Sequence, residues 1–190
     1  MRIILASNSP RRKELLLQIG LEFEIIPSSF EETEQVMDPA DLVRHFAFMK
    51  ARDVAERTEG EALVIGSDTI VYCDRIMGKP KNARDAYDML RCLSGREHFV
   101  LSGIAVFNTL SGEYRTAVEK TKVRIKTLTD QEINGYINTG EPMDKAGAYA
   151  IQGLGALFVE GIEGCYFNVV GLPIFKLSNI LKEFGVEVLK

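Results

Sequence analysis

The strongest constraint on the fold lies close to the N-terminus. A short apolar run, Ile3-Ile4-Leu5-Ala6, reads as a strand. It breaks into Ser7-Asn8-Ser9-Pro10-Arg11-Arg12-Lys13 and resumes as Glu14-Leu15-Leu16-Leu17-Gln18-Ile19-Gly20, which reads as a helix. Ser9 suits an N-cap and Pro10 the first helical position, where a missing N–H costs nothing. Gly20 stands where such a helix ends. This strand–turn–helix unit brings two hydroxyls, free backbone N–H groups and three cations to one helix N-terminus. Dipole, donors and charge there all favour a polyanion. The alternative is a capped surface helix with a basic first turn. Because basic residues in a first turn oppose the helix dipole, they point toward a bound anion rather than a stabilising role.

The rest of the chain repeats the alternation. Phe23-Glu24-Ile25-Ile26-Pro27 reads as a short strand, and Ser28 to Glu34 as an acidic loop. Asp38 and Pro39 open a long helix that reaches about Thr58 and stops at Gly60, with Leu42, Phe46, Met49 and Val54 toward the core. Ala62-Leu63-Val64-Ile65-Gly66 reads as a strand buried on both faces. It is expected to end at a polar turn, Ser67-Asp68-Thr69, before Ile70-Val71-Tyr72; a second turn is expected over Arg75–Lys81. Asn82 caps a helix through Leu93. His98–Asn108 and Tyr114–Leu128 read as strands joined in a hairpin. Lys120, Lys122, Arg124 and Lys126 fall on one face of the second, which reads as a solvated face. Thr129-Asp130-Gln131-Glu132 is a capping box that opens a helix ending near Gly140. Ala156–Val159 and Tyr166–Val170 read as strands, and Pro173 opens a last helix that stops at Gly185. The pattern is that of one α/β domain with a mixed sheet, with room for two lobes.

Composition narrows the function. Of 190 residues, 46% are hydrophobic and 26% charged, with a net charge of −4. An acidic chain is a poor holder of long nucleic acid, so a polymer partner is disfavoured while a small anion in a local basic cluster is not. Three cysteines without C-x-x-C spacing read as reduced thiols, which suggests the cytosol. No apolar run approaches a membrane span, and the N-terminus turns polar too soon for a signal peptide. Gly78-Lys79-Pro80 is not a phosphate-binding Walker loop, and Gly153-Leu154-Gly155 lacks the third glycine of a dinucleotide fingerprint. His45 and His98 are the only histidines, which leaves serine–histidine catalysis and zinc poorly supported.

Carboxylates and cations remain. Asp68 sits at the expected strand edge, and Glu31 and Glu32 lie in a loop that also follows a strand. Mg2+ is held by one or two carboxylates together with substrate phosphates and water, which Asp68 and one of these glutamates could supply. Arg11, Arg12, Lys50 and Lys79 add four cations. A nucleoside triphosphate needs such neutralisation during phosphoryl-type chemistry. Taken singly, each of these residues also reads as ordinary surface: a turn aspartate, an acidic loop, an exposed turn lysine.

The stretches LASNSPRRKELL, IGSDTIV, GKPKNARDAYDML, LSGREH, EPMDKAGAYAIQG and FNVVGLP, in this order over residues 5 to 173, resemble the Maf family, the Maf-like nucleotide pyrophosphatases also called septum-formation inhibitors. The resemblance implies an ITPase-like (Maf/Ham) fold: a mixed, twisted central sheet flanked by helices, with two lobes around a cleft. It implies hydrolysis of a nucleoside triphosphate to the monophosphate and pyrophosphate with a divalent metal cation, Mg2+ or Mn2+. Asp68 matches the family's proton acceptor. Ser7, Ser9, Arg11 and Arg12 match its phosphate-binding turn, Lys50 and Lys79 its triphosphate lysines, and Glu31 or Glu32 an acidic position that shares the metal with Asp68. Arg11, Thr69 and Gln152 resemble the subgroup acting on dTTP and UTP rather than the one acting on 7-methyl-GTP. An amide at 152 offers donor and acceptor to a pyrimidine edge, whereas a carboxylate suits guanine. Ser67 departs from the alanine common before the aspartate. A homodimer is implied by the resemblance alone. The competing expectation is a nucleotide-binding regulator of cell division that acts through a protein partner; an aspartate placed for water favours the enzyme.

Overall fold

A computed structural model describes residues 1–33 and 35–189; Glu34 of the acidic loop lies outside the described residues. The element order is β1 (Arg2–Leu5), α1 (Pro10–Gln18), β2 (Glu24–Ile25), α2 (Pro39–Ala55), β3 (Ala62–Cys73), β4 (Arg75–Met77), α3 (Ala83–Leu93), β5 (Glu97–Asn108), β6 (Tyr114–Ile125), α4 (Asp130–Asn138), β7 (Val159–Glu163), α5 (Tyr166–Val170) and α6 (Ile174–Glu183). The strands form one sheet in the order β2-β1-β3-β5-β6-β7, with β4 paired to β3. β1 runs parallel to β2 and β3, while β3–β4 and β6–β7 are antiparallel, so the sheet is mixed. No helix among the described residues is long and apolar enough to cross a membrane.

The chain divides into two compact units. The first comprises residues 1–68, 102–119 and 171–190, the second residues 69–101 and 120–170. In the first unit, α2 lies against the sheet on a core of Ile4, Ala47, Ala51, Val54, Val64 and Ala105. Glycines make this approach possible. A Cβ at Gly66 would lie 2.2 Å from the Ala47 carbonyl oxygen, and one at Gly103 would lie 2.0 Å from that of Val43. The backbone of α2 therefore rests directly on β3 and β5, which fixes where its side chains project. In the second unit, α3 and α4 pack on Val71, Met77, Val100, Val123 and Ile125.

Helix starts follow their caps. Ser9, Asp38 and Asn82 each accept a backbone N–H in the first turn, and Thr129 and Glu132 form the reciprocal capping box. The cationic face of β6 is solvated and ion-paired: Lys122 to Glu97 and Glu163, Arg124 to Glu97 and Glu160, Lys126 to Glu132.

Four expectations are corrected. β3 does not end at Ser67-Asp68-Thr69 but runs on to Cys73, twelve residues in all, because Ser67 and Asp68 are buried rather than turned into solvent. The expected turn at Arg75–Lys81 contains strand β4, reached through Asp74 at a φ of 58°, a left-handed value aspartate tolerates. Ala156–Phe158 belongs to a 3-10 helix, Gly153–Phe158, and only Val159 begins a strand. Tyr166–Val170 is helical. Its middle residue, Asn168, donates to the Val100 carbonyl at 3.0 Å and to Thr121 Oγ1 at 2.9 Å. Short apolar runs carry no period that separates strand from helix, so tertiary bonding decides.

Candidate active site

In the first unit, β1 delivers the chain into the turn before α1. Ser7 Oγ accepts the Ser9 N–H and the Arg12 guanidinium, each at 3.2 Å. Arg12 Nε donates to the Gly171 carbonyl at 3.0 Å. The Ser67 hydroxyl donates to the same carbonyl at 3.4 Å. Arg12 is thus folded into the turn rather than extended into water. Desolvation pulls its pKa down, the charges of Asp68 and Glu32 oppose that, and Arg11 adds to it. A guanidinium stays protonated regardless, so the environment concentrates positive potential here.

Asp68 lies mid-strand on β3, 5% exposed. Lys50 reaches it from α2, with Nζ 2.7 Å from Asp68 Oδ1 and 2.5 Å from Glu32 Oε1. The close seating of α2 on Gly66, two residues before Asp68, makes this reach possible. The loop that carries Glu32 is tied to the same helix. Asp53 accepts the Ser28 hydroxyl at 2.8 Å, the Ser29 N–H at 2.9 Å and the Ser29 hydroxyl at 3.0 Å. Burial works against the Asp53 charge, but these donors and Arg57 outweigh it and hold its pKa below the ordinary value. Phe30 meets Phe46 of α2 at 6.0 Å between ring centroids. Both candidate glutamates are exposed, and of the two it is Glu32 that is brought to Lys50.

Asp68 Oδ2 is buried without a hydrogen-bond partner among the described residues. An acceptor in that state suits a cation or a polarised water. No group of three or more His, Cys, Asp or Glu side chains among the described residues could hold a metal by itself. Asp68 and Glu32 nevertheless fit Mg2+, which is held by one or two carboxylates and takes its other ligands from phosphate and water.

In the second unit, Thr69 follows Asp68 on β3. Lys79 is exposed in the loop after β4, which is tied down where the Gly147 N–H donates to the Gly78 carbonyl at 3.0 Å. Gln152 is half-buried and precedes the 3-10 helix. The Gly171 carbonyl and Asp53 were not singled out by sequence reasoning. The block FNVVGLP contains the first, but a backbone carbonyl leaves no side-chain signal.

The Maf-like protein family model matches residues 2–184. The chain belongs to the Maf-like family. A relative from Acetivibrio thermocellus named dTTP/UTP pyrophosphatase is 54% identical over 197 residues, spanning 100% of this chain and 98% of the relative. A Thermoanaerobacter sp. (strain X514) relative of the same name is also 54% identical, over 191 residues and the full length of both. Among solved structures, a HAM1 protein from Coxiella burnetii superposes with a TM-score of 0.53 at 18% identity, covering 96% of this chain and 99% of that one. The Maf-like chain therefore shares the mixed α/β Ham1 fold. The Asp68–Lys50–Glu32 cluster lies within the matched region.

Proposed function

We propose that this Maf-like protein hydrolyses dTTP and UTP to the monophosphate and pyrophosphate, and that all 190 residues serve this one activity. The observation that carries the chemistry is the buried Asp68, with Oδ1 fixed by Lys50 and Oδ2 left open. The substrate assignment rests on the names of the full-length relatives and on Arg11, Thr69 and Gln152. The three free cysteines support a cytoplasmic place; a homodimer rests on the family resemblance alone.

In this reading, Ser7, Ser9, Arg11 and Arg12 receive the phosphates at the α1 N-terminus, where backbone N–H groups and positive charge converge. Asp68 Oδ2 accepts a proton from the water that attacks the α-phosphorus. The new bond is P–O from water, the bond broken is that to the oxygen bridging the α- and β-phosphorus, and pyrophosphate leaves with the bond's electron pair. Lys50 orients Asp68 by holding Oδ1, so the open oxygen faces one direction. Lys79 is assigned to the departing phosphates, and Thr69 and Gln152 to the base, by their matching motifs. Asp68 and Glu32 would hold a Mg2+ or Mn2+ ion, which would supply further charge neutralisation to the phosphates when bound.

The test is product identification with purified protein, Mg2+ or Mn2+ and a panel of nucleoside triphosphates. Monophosphate plus pyrophosphate from dTTP and UTP, with purine nucleotides left intact, is the expected result. Release of single phosphate would place attack at the γ-position. Tight binding without turnover would favour a nucleotide-binding regulator instead.

A further inference from the structure

The 3-10 helix Gly153–Phe158 begins with backbone N–H groups that its own turns cannot satisfy. Its N-cap residue is Gln152, whose side chain makes no capping hydrogen bond. Glu141, from earlier in the chain, does the capping instead. Its Oε2 accepts the Leu154 N–H at 3.1 Å and its Oε1 the Gly155 N–H at 3.1 Å. The Tyr136 hydroxyl donates to Oε1 at 2.9 Å and accepts the Ala150 N–H at 3.3 Å. Two side chains therefore hold the backbone on both sides of Gln152, two residues before it and two and three residues after.

Gly153 shows how closely this clamp is built. It has a φ of +66°, and a Cβ there would stand 2.8 Å from Glu141 Oε2. Glycine is needed for the backbone conformation and for the approach of the carboxylate. Burial opposes the Glu141 charge, but the two N–H donors, Tyr136 and nearby Lys145 hold its pKa below the ordinary value. It is thus an anion at neutral pH and makes charge-assisted bonds, roughly twice as strong as neutral ones.

We propose that Glu141 is a positioning residue for nucleobase selection: by taking over the cap, it frees the Gln152 amide for the base and fixes the turn that aims it. This rests on the reading of Gln152 as the base-recognising residue. An amide discriminates by direction, since its donor and acceptor must meet their counterparts within about 0.5 Å and 10–20°. A loosened turn spares the chemistry but blurs the choice of base.

The experiment compares kcat/KM for dTTP and dGTP in the full-length protein and in Glu141→Gln, Tyr136→Phe, Gln152→Ala and the Glu141→Gln/Gln152→Ala double variant, with thermal unfolding of each. In Glu141→Gln one oxygen becomes an NH2 that confronts a backbone N–H. The expected result is a loss of pyrimidine preference on the order of tenfold, carried by a higher KM for dTTP more than by a lower kcat. Tyr136→Phe should give a smaller loss in the same direction, and it carries the test alone if Glu141→Gln does not fold. The double variant should be no less selective than Gln152→Ala, because both changes act through one amide. If Gln152→Ala loses selectivity while Glu141→Gln and Tyr136→Phe keep it, or if the double variant is additive, the positioning role is overturned. If Gln152→Ala itself keeps full selectivity, the base-reading assignment fails first and takes this proposal with it.

Discussion

Lys50 Nζ sits 2.7 Å from Asp68 Oδ1, with both side chains largely out of solvent, while the other oxygen of Asp68 is buried without a hydrogen-bond partner among the described residues. The pair joins α2 to β3. A merely structural ion pair would have its remaining lone pairs satisfied. Replacing Asp68 with Asn keeps the shape and removes the basic oxygen. Turnover should fall by about 10²–10⁴-fold, the range for loss of a general base. Nucleotide should still raise the melting temperature, because the turn proposed to bind phosphate is untouched. Steady-state rates and a thermal-shift titration check both halves.

Lys50→Met tests the same pair energetically. The side chains of Lys50 and Asp68 are 14% and 8% exposed, so removing the ammonium strands a carboxylate in a poorly solvated place. A loss of ~3 kcal/mol is expected. The Lys50→Met/Asp68→Asn double variant should be more stable than Lys50→Met. Denaturant unfolding of the four proteins, the parent, Lys50→Met, Asp68→Asn and the double variant, closes the cycle.

Gly103→Ala should destabilise the first unit without touching a polar group. The new methyl would stand 2.0 Å from the Val43 carbonyl oxygen, which is backbone and cannot swing aside. A cost of at least ~1–3 kcal/mol follows from overpacking. Because α2 also presents Lys50, activity should fall in material that remains folded.

His98 gives the protein a pH-dependent stability. It is buried, with Nε2 2.7 Å from the Tyr149 hydroxyl, and burial lowers its pKa from 6.5 to about 4. The folded state resists protonation more than the unfolded state does. Its contribution is therefore full above pH ~6.5, declines as pH falls toward about 4, and changes no further below that. The span corresponds to ~3 kcal/mol. His98→Gln should flatten the stability profile between pH 7 and 4, read as the difference from wild type in urea midpoints.

Thr129→Ala removes one half of the capping box of α4, in which Thr129 Oγ1 accepts the Glu132 N–H and Glu132 Oε2 accepts the Thr129 N–H. A loss of ~1 kcal/mol is expected. Thermal unfolding measures it, and turnover by the folded protein should be unaffected.

Much of the secondary structure was legible in the residues. Asn82 with Leu93, Thr129 with Glu132, and Pro10 after Ser9 mark helix ends, because capping is a contact between near neighbours in the chain. The candidate site residues were legible as residue types: a lone aspartate after an apolar run, a glutamate pair and scattered cations. Where the reading failed, distant partners decided. Ser67 and Asp68 look like a turn but continue a strand, since inside the fold the Gly171 carbonyl accepts from Ser67 and the Lys50 ammonium donates to Asp68. Tyr166–Val170 looks like a strand but is a helix, since Asn168 bonds to Val100 and Thr121.

What the sequence determined by itself was the alternation of elements, their caps and the kinds of side chain available for chemistry, because those depend on local backbone preferences and periodicity. Only the tertiary structure decided that Glu32 rather than Glu31 meets Lys50, that Asp68 keeps one oxygen open, and that Glu141 caps the turn after Gln152. Each of these depends on side chains brought within about 3 Å across many residues of chain, and that proximity is set by which surfaces pack together, a property no local stretch contains.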